Sequence, residues 1–101
     1  DYYLHLIDIK DYSKKPNRIR QLRGRVIGTK GKTRSMIESL ADVRMSVYGH
    51  TVAIIGDSIS LPFAAEAVDM ILSGSMHGSV YSFLEKKARD LKAEKMLDYY
   101  Y

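Results

Sequence analysis

The stretch from Lys14 to Arg34 carries nine basic residues and no acidic residue. The other 80 of the 101 residues hold seven basic and all twelve acidic residues, so the net charge of +4 divides into +9 here and −5 elsewhere. Blocks of like charge are often disordered, but this one also contains four apolar residues at spacings of three, four and one, namely Ile19, Leu22, Val26 and Ile27. That spacing is typical of an amphipathic helix. This stretch, the basic segment, is therefore predicted to fold and to bind a polyanion; the alternative is a solubility patch.

Length and composition exclude several classes of protein. A chain of 101 residues provides for one domain. The absence of cysteine excludes a disulfide framework, a thiolate nucleophile and a cysteine-ligated metal. The longest apolar runs, such as residues 52–55, are far shorter than the ~20 residues that span a membrane, and the first residues lack the pattern of a signal peptide. We therefore expect a cytoplasmic domain.

Alternating apolar residues predict three strands. In the first, residues 2–10, the residues expected to face the core are Leu4, Leu6 or Ile7, and Ile9. The second and third, residues 43–48 and 51–55, flank a two-residue hairpin turn at Gly49-His50.

Apolar residues at helical spacing predict four helices. The first begins at about Asn17 and ends at Val26 or Ile27, and the second begins at Lys32 and ends at a turn over residues 41–42. Ser60 is expected to cap the third, with Pro62 in its first turn and Gly74 ending it. The fourth covers about residues 79–97.

The order of these elements is strand, helix, helix, strand, strand, helix, followed by the fourth helix. Three strands and three amphipathic helices are expected to pack as a two-layer α+β fold, with an antiparallel sheet covered by helices on one face. We assign residues 2–75 to this domain and residues 76–101 to a C-terminal helical extension.

Four residues, Gly28-Thr29-Lys30-Gly31, join the first two predicted helices inside the basic segment. Two glycines three positions apart permit a tight turn that a ligand can approach closely. The N–H groups that open the second helix attract an anion. The four residues are therefore predicted to clamp phosphate groups, with further phosphate contacts from the flanking Arg23, Arg25, Lys32 and Arg34; an ordinary glycine turn is the alternative.

Other motifs in the chain do not support catalysis. Gly31-Lys32-Thr33 copies the end of the nucleotide-binding pattern G-x-x-x-x-G-K-[ST], but Val26 stands where that pattern requires its first glycine. His5, His50 and His77 lack the spacing of metal ligands. We expect no catalytic residues, no metal and no cofactor.

A known family resembles this part of the sequence. Residues 22–33, then Ile37 and Leu40, then residues 43–47 resemble the core of a type I KH domain, whose elements follow the order β-α-α-β-β-α. The likeness covers about residues 2–74. KH domains clamp four nucleotides of RNA backbone on a GXXG loop. Arg34 departs from the family pattern, which has an apolar residue three positions after the second glycine.

A narrower resemblance involves residues 46–57, Met76–Tyr81 and the basic last helix. These are similar to the second KH module of the partner-of-Nob family of ribosome-assembly proteins, in its archaeal version. The resemblance implies binding to the 3′ end of small-subunit rRNA and contact with the Nob endonuclease and, in archaea, with the α subunit of translation initiation factor 2. Because that family carries another KH module before this one, it also implies a truncated chain or an unusual short member. The alternatives are a generic KH protein, such as a regulator or an exosome-type subunit, and a KH-fold protein-interaction module.

Applied to this chain, the KH mechanism predicts a groove for single-stranded RNA between the first two helices and the strand at residues 43–48. Phosphate contacts position the RNA, and base contacts specify its sequence. Arg44 is expected to read a base edge. Three apolar residues are expected to form the floor of the groove or, equally, to belong to the core: Ile27, Ile37 and Met45.

Overall fold

Three strands form one antiparallel sheet in the computed structural model, which describes residues 1–100, with side chains to residue 93. They are β1 (Tyr3–Asp8), β2 (Arg44–Tyr48) and β3 (Thr51–Gly56), in the order β1-β3-β2. The predicted hairpin is confirmed, because Tyr48 pairs with Thr51 across Gly49-His50. β2 is therefore an edge strand, and its free edge lies next to the second helix.

Four helices complete the domain: α1 (Pro16–Ile27), α2 (Lys32–Ala41), α3 (Ser60–Leu72) and α4 (His77–Tyr100). Short 3-10 turns cover Ile9–Asp11 and Thr29–Gly31. α4 begins two residues before its predicted start. Tyr101, the last residue of the predicted extension, lies outside the described residues. Among the helices described, none is both long enough and apolar enough to cross a bilayer.

One hydrophobic core joins the sheet to all four helices. Its fully buried members include Val52 and Ile54 of β3 and Val68 and Ile71 of α3. α4 packs against α2 and α3, and its residues Val80 and Leu84 are 0% and 1% exposed. The C-terminal helix therefore contributes to the same core as the elements that precede it.

The expectation of which β1 residues face the core was wrong for Leu4, and of the alternatives Leu6 and Ile7 it is Ile7 that faces inward. Leu4 and Leu6 are each 60% exposed. They pair with Ile55 and Ala53, on the outer face of β3. The inner face of β1 instead includes Ile7, which lies opposite the buried Val52 and packs against the core. Because paired residues share a face of the sheet, the buried residues of β3 determine the orientation of β1.

The prediction that Ser60 caps α3 was also wrong. The cap is Asp57, whose Oδ1 accepts hydrogen bonds from the main-chain N–H groups of Ile59 (2.9 Å) and Ser60 (2.7 Å). Ser60 is instead the first residue of the helix and is 2% exposed. These N–H groups lie two and three residues after Asp57, the reach of an N-cap side chain, and Asp is as good a cap as Ser. Pro62 lies in the first turn and Gly74 just beyond the end, as predicted.

Candidate nucleic-acid interface

The turn between α1 and α2, residues 28–31, is called the glycine loop below. Gly28, Lys30 and Gly31 all have positive φ, at 77°, 56° and 74°. The N–H of Gly31 donates to the carbonyl of Gly28 over 3.1 Å, which closes the turn. The tip therefore presents Thr29 and Lys30, whose side chains are both exposed.

The two glycines of the loop meet different surroundings. A Cβ on Gly28 would lie 2.3 Å from Thr33 Oγ1 and 2.6 Å from the main-chain nitrogen of Thr33. A Cβ on Gly31 would meet no atom of the described residues within 4 Å. Gly28 is thus required by the close packing of the first turn of α2, whereas Gly31 is required only by its backbone conformation.

α2 begins with an excess of positive charge. Its first turn contains no acidic residue, although acids are favoured at that end of a helix, and no side chain among the described residues caps it. Lys32 and Arg34 occupy this turn instead, and both are exposed. The uncapped N–H groups, the helix dipole and these two cations all favour an anion beside the glycine loop.

Most of the basic segment is accessible to a ligand. Seven of its nine basic side chains are exposed, and Arg23 and Arg25 are half-buried. In the described part of the chain, none of the nine forms an ion pair with a carboxylate. The guanidinium of Arg25 donates a hydrogen bond to the main-chain oxygen of Ser75. Among the residues predicted to contact phosphates, Arg25 therefore already has a partner within the protein.

α4 supports the glycine loop from behind. Nε2 of His77 lies 2.8 Å from the main-chain oxygen of Arg25, so the imidazole donates and the carbonyl accepts. One turn later, the hydroxyl of Tyr81 donates to Thr33 Oγ1 over 3.2 Å. α4 thus contacts the last turn of α1 and the first turn of α2. The sequence did not reveal these two positioning contacts.

A groove of about 450 Å³ lies between α2 and the edge strand β2. Its lining brings together the predicted Arg34, Arg44 and Met45 with four residues that the sequence did not indicate, namely Glu38, Ser46, Ala53 and Ile55. Arg34 and Arg44 are exposed and both line the groove. Arg34, predicted to bind phosphate, and Arg44, predicted to read a base, therefore line the same groove.

Of the two roles left open for the apolar residues Ile27, Ile37 and Met45, groove floor or core, burial favours the core for two of them. Ile37 is 0% exposed and offers no surface to a base, so it belongs to the core. Met45 is 4% exposed and Ile27 is half-buried. Ile55, on the outer face of β3, is 46% exposed and lines the groove. The accessible apolar surface therefore comes mainly from β3, whose outward residues alternate with the buried Val52 and Ile54.

The described residues offer no cluster of metal-ligating side chains. No group of three or more His, Cys, Asp or Glu residues in that part of the chain is arranged to hold a metal ion. Basic, apolar and main-chain groups dominate the loop and the groove.

Comparison with known proteins places this geometry in a family. The family model of the second KH domain of PNO1, described as a eukaryotic-type KH domain (KH-domain type I), matches residues 3–89. The chain belongs to this family. The type I KH fold expected from the sequence is therefore confirmed, as is the resemblance to the partner-of-Nob module.

Two relatives show how far this KH domain extends within larger proteins. A KH domain-containing protein of Methanocaldococcus jannaschii is 49% identical over 92 residues, which cover 91% of this chain and 40% of that protein. The pre-rRNA-processing protein pno1 of Aspergillus fumigatus is 33% identical over 94 residues, covering 91% of this chain and 37% of that protein. The chain thus spans about two fifths of the length of these relatives.

Two solved structures share the fold. A protein of unknown function from Aeropyrum pernix superposes with a TM-score of 0.95 at 34% identity, over 99% of this chain and 53% of that one. A complex of a/eIF2α, aDim2p and rRNA from Pyrococcus horikoshii contains a chain that superposes with a TM-score of 0.81 at 43% identity, over 88% of this chain and 48% of that one.

Proposed function

We propose that this KH domain binds single-stranded RNA as a non-catalytic module of small-subunit ribosome assembly. The observation that carries the proposal is the exposed glycine loop at the start of α2, among cations that form no ion pair with a carboxylate in the described part of the chain. The relative in A. fumigatus is a pre-rRNA-processing protein, and the P. horikoshii complex contains rRNA. Both names support RNA as the polyanion.

The roles of individual residues follow from their exposure. Main-chain groups of the glycine loop hold the RNA backbone, with Lys30, Lys32 and Arg34 on its phosphates. Arg23 and Arg25 are half-buried, so they contribute mainly to the local potential. Arg44 contacts a base edge in the groove. Binding of this kind involves roughly three to five phosphates, which gives a slope of about −2 to −3.5 for log K against log salt.

Single-stranded RNA fits this site better than a duplex. Sequence-specific RNA recognition requires unpaired bases that can be turned toward the protein. The groove is open beside the edge strand, and its polar and apolar lining can receive such bases. A duplex would offer phosphates to the glycine loop but no free base edges to the groove.

The RNA that we propose is the 3′ end of small-subunit rRNA. The proposed protein partners are the α subunit of translation initiation factor 2, supported by the composition of the P. horikoshii complex, and the Nob endonuclease, supported by the family resemblance. The proposed place of this RNA binding is the cytoplasm of an archaeal cell. Each of these partners requires its own test, because the relatives are more than twice as long as this chain.

Filter binding with matched single-stranded and duplex RNA tests the function directly. The proposal predicts tighter retention of the single strand, with the salt dependence given above. Equal retention of both, or a salt slope near zero, would contradict it and favour a KH-fold protein-interaction module. Cross-linking to total RNA, followed by mapping of the bound position, then tests the rRNA assignment: sites scattered over messenger RNA would indicate a generic KH regulator.

A further inference from the structure

The groove contains an acidic residue among its cations. Glu38 lies one turn after Arg34 on α2, and both line the groove together with Arg44. A carboxylate in this position repels phosphate, which the basic residues attract. Glu38 is therefore poorly suited to the RNA backbone and well suited to a hydrogen-bond donor on a base.

The position of the Glu38 carboxylate is fixed by the edge strand. Its Oε2 accepts a hydrogen bond from the main-chain N–H of Met45 over 2.9 Å. Within the described residues, neither Arg34 nor Arg44 forms an ion pair with it. An ionised carboxylate has two oxygens and can accept about four hydrogen bonds. One carboxylate oxygen thus holds the half-buried side chain against β2, while the other can accept a hydrogen bond from a ligand in the groove.

We propose that Glu38 is a specificity-determining residue that selects bases with an exocyclic amino group, cytosine and adenine, over uracil. The free carboxylate oxygen accepts from the amino group, as acidic side chains do with cytosine N4. Arg44, on the same groove, donates to the neighbouring ring nitrogen. Uracil has a carbonyl in place of the cytosine amino group, so its oxygen would face the carboxylate. This inference rests on the proposed RNA-binding function.

If the role of Glu38 were purely structural, Glu38→Gln would leave the base preference unchanged. By covering the N–H of Met45, Glu38 also protects a free strand edge from pairing with another chain. Glu38→Gln keeps this role, because its amide oxygen still accepts from Met45. Its NH₂ group, however, presents a donor where the carboxylate presented an acceptor. The variant therefore changes base recognition without removing the contact to β2.

The test measures the affinities of the unmodified protein and of Glu38→Gln for otherwise identical single-stranded oligonucleotides of cytosine, adenine or uracil. We expect the unmodified protein to prefer cytosine or adenine by about tenfold, in the range of a specific base contact. In Glu38→Gln the ratio should fall to about one or below. The control Glu66→Gln removes the same charge from an exposed position on α3 and should leave the ratio unchanged.

A comparison on the unmodified protein keeps the proposal falsifiable if Glu38→Gln fails to fold. Replacing adenosine by purine riboside, which lacks only the amino group, should weaken binding by about the same factor. Equal affinity for cytosine, adenine and uracil, or a preference that persists in Glu38→Gln, would overturn the role of Glu38 and leave the RNA-binding function standing. Failure to bind any of the oligonucleotides would instead overturn the proposed function, and this inference with it.

Discussion

Nε2 of His77 lies 2.8 Å from the main-chain oxygen of Arg25, so the first turn of α4 is hydrogen-bonded to the last turn of α1. The glycine loop begins three residues after Arg25. Tyr81 makes the corresponding contact to Thr33, on the other side of the loop. Because α4 contacts both flanking helices, it is part of the support for the candidate site.

Replacing His77 by alanine should destabilise the domain. The substitution leaves a part-buried carbonyl without its partner, which costs about 1–3 kcal/mol. The loss should be accompanied by weaker RNA binding, because the end of α1 is less well held. The control is His5→Ala, at an exposed position on β1. Urea unfolding of both variants measures the effect, and equal stability of the two would show that the His77 contact is unimportant.

The two glycines of the loop should differ in their tolerance of alanine. Gly28 has φ 77° and ψ 170°, a combination that is essentially confined to glycine, and its added Cβ would overlap Thr33. Gly28→Ala should cost roughly 3 kcal/mol in all. Gly31→Ala, in open space, should cost only the ~1–2 kcal/mol of a left-handed residue. Denaturant midpoints give both values, and the reverse order would show that the packing of Thr33 on Gly28 is misassigned.

Removal of the cap of α3 should distinguish Asp57 from Ser60. Asp57→Ala removes the acceptor for two main-chain N–H groups and should cost about 1 kcal/mol. Ser60→Ala removes a long 3.4 Å contact to Asp57, the one side-chain hydrogen bond of Ser60 within the described residues, and should cost less. Thermal unfolding compares the two variants. A larger loss for Ser60→Ala would restore the assignment that the sequence favoured.

The stability contributed by Tyr12 should depend on alkaline pH. Burial, together with the hydrogen bond that its hydroxyl donates to Asp69, raises the pKa of Tyr12 from 10.0 to about 12. A raised folded-state pKa contributes stability that is complete below pH 10 and is lost as the pH rises through 12. Tyr12→Phe should therefore be less stable by about 1 kcal/mol at pH 8, and its deficit should shrink above pH 10.

Urea unfolding of the unmodified protein and Tyr12→Phe between pH 8 and pH 12 measures this deficit. Other titrating groups cancel in the difference between the two proteins. The matched control is Tyr48→Phe, because the side chain of Tyr48 is 85% exposed. A deficit that stays constant across this range would refute the raised pKa of Tyr12.

Local signals in the sequence were sufficient to predict the element order and the glycine loop. Each of these features is determined by a short stretch of sequence. Examples are the helical spacing of apolar residues, the two glycines of the loop and the Gly49-His50 turn. The orientation of β1 is different, because both of its faces carry apolar or aromatic side chains. Only pairing with β3 decides that Ile7 faces inward and Leu4 outward.

The support of the site and part of its lining depend on long-range packing. His77 and Arg25 are 52 residues apart in the chain, and no periodic pattern connects them. Ile37 and Glu38 are neighbours in the sequence, yet the first is wholly buried and the second lines the groove. Helical periodicity predicts that Ile37 faces inward. It does not predict whether an inward-facing residue lies in the core or lines the groove, because that depends on where β2 packs.

Binding of single-stranded RNA by Thr29→Asp/Lys30→Asp tests the central claim most directly. Both side chains are exposed, and aspartate tolerates the positive φ of residue 30, so the fold should persist. Two carboxylates at the tip of the glycine loop would oppose phosphate. We predict that affinity falls at least roughly a hundredfold, as expected when two charge-assisted contacts are lost.

The control Ser82→Asp/Lys86→Asp, which changes the net charge equally on exposed positions of α4, should retain most of the affinity. Unchanged affinity in the loop variant, or an equal loss in the control, would contradict the assignment of the glycine loop as the phosphate clamp.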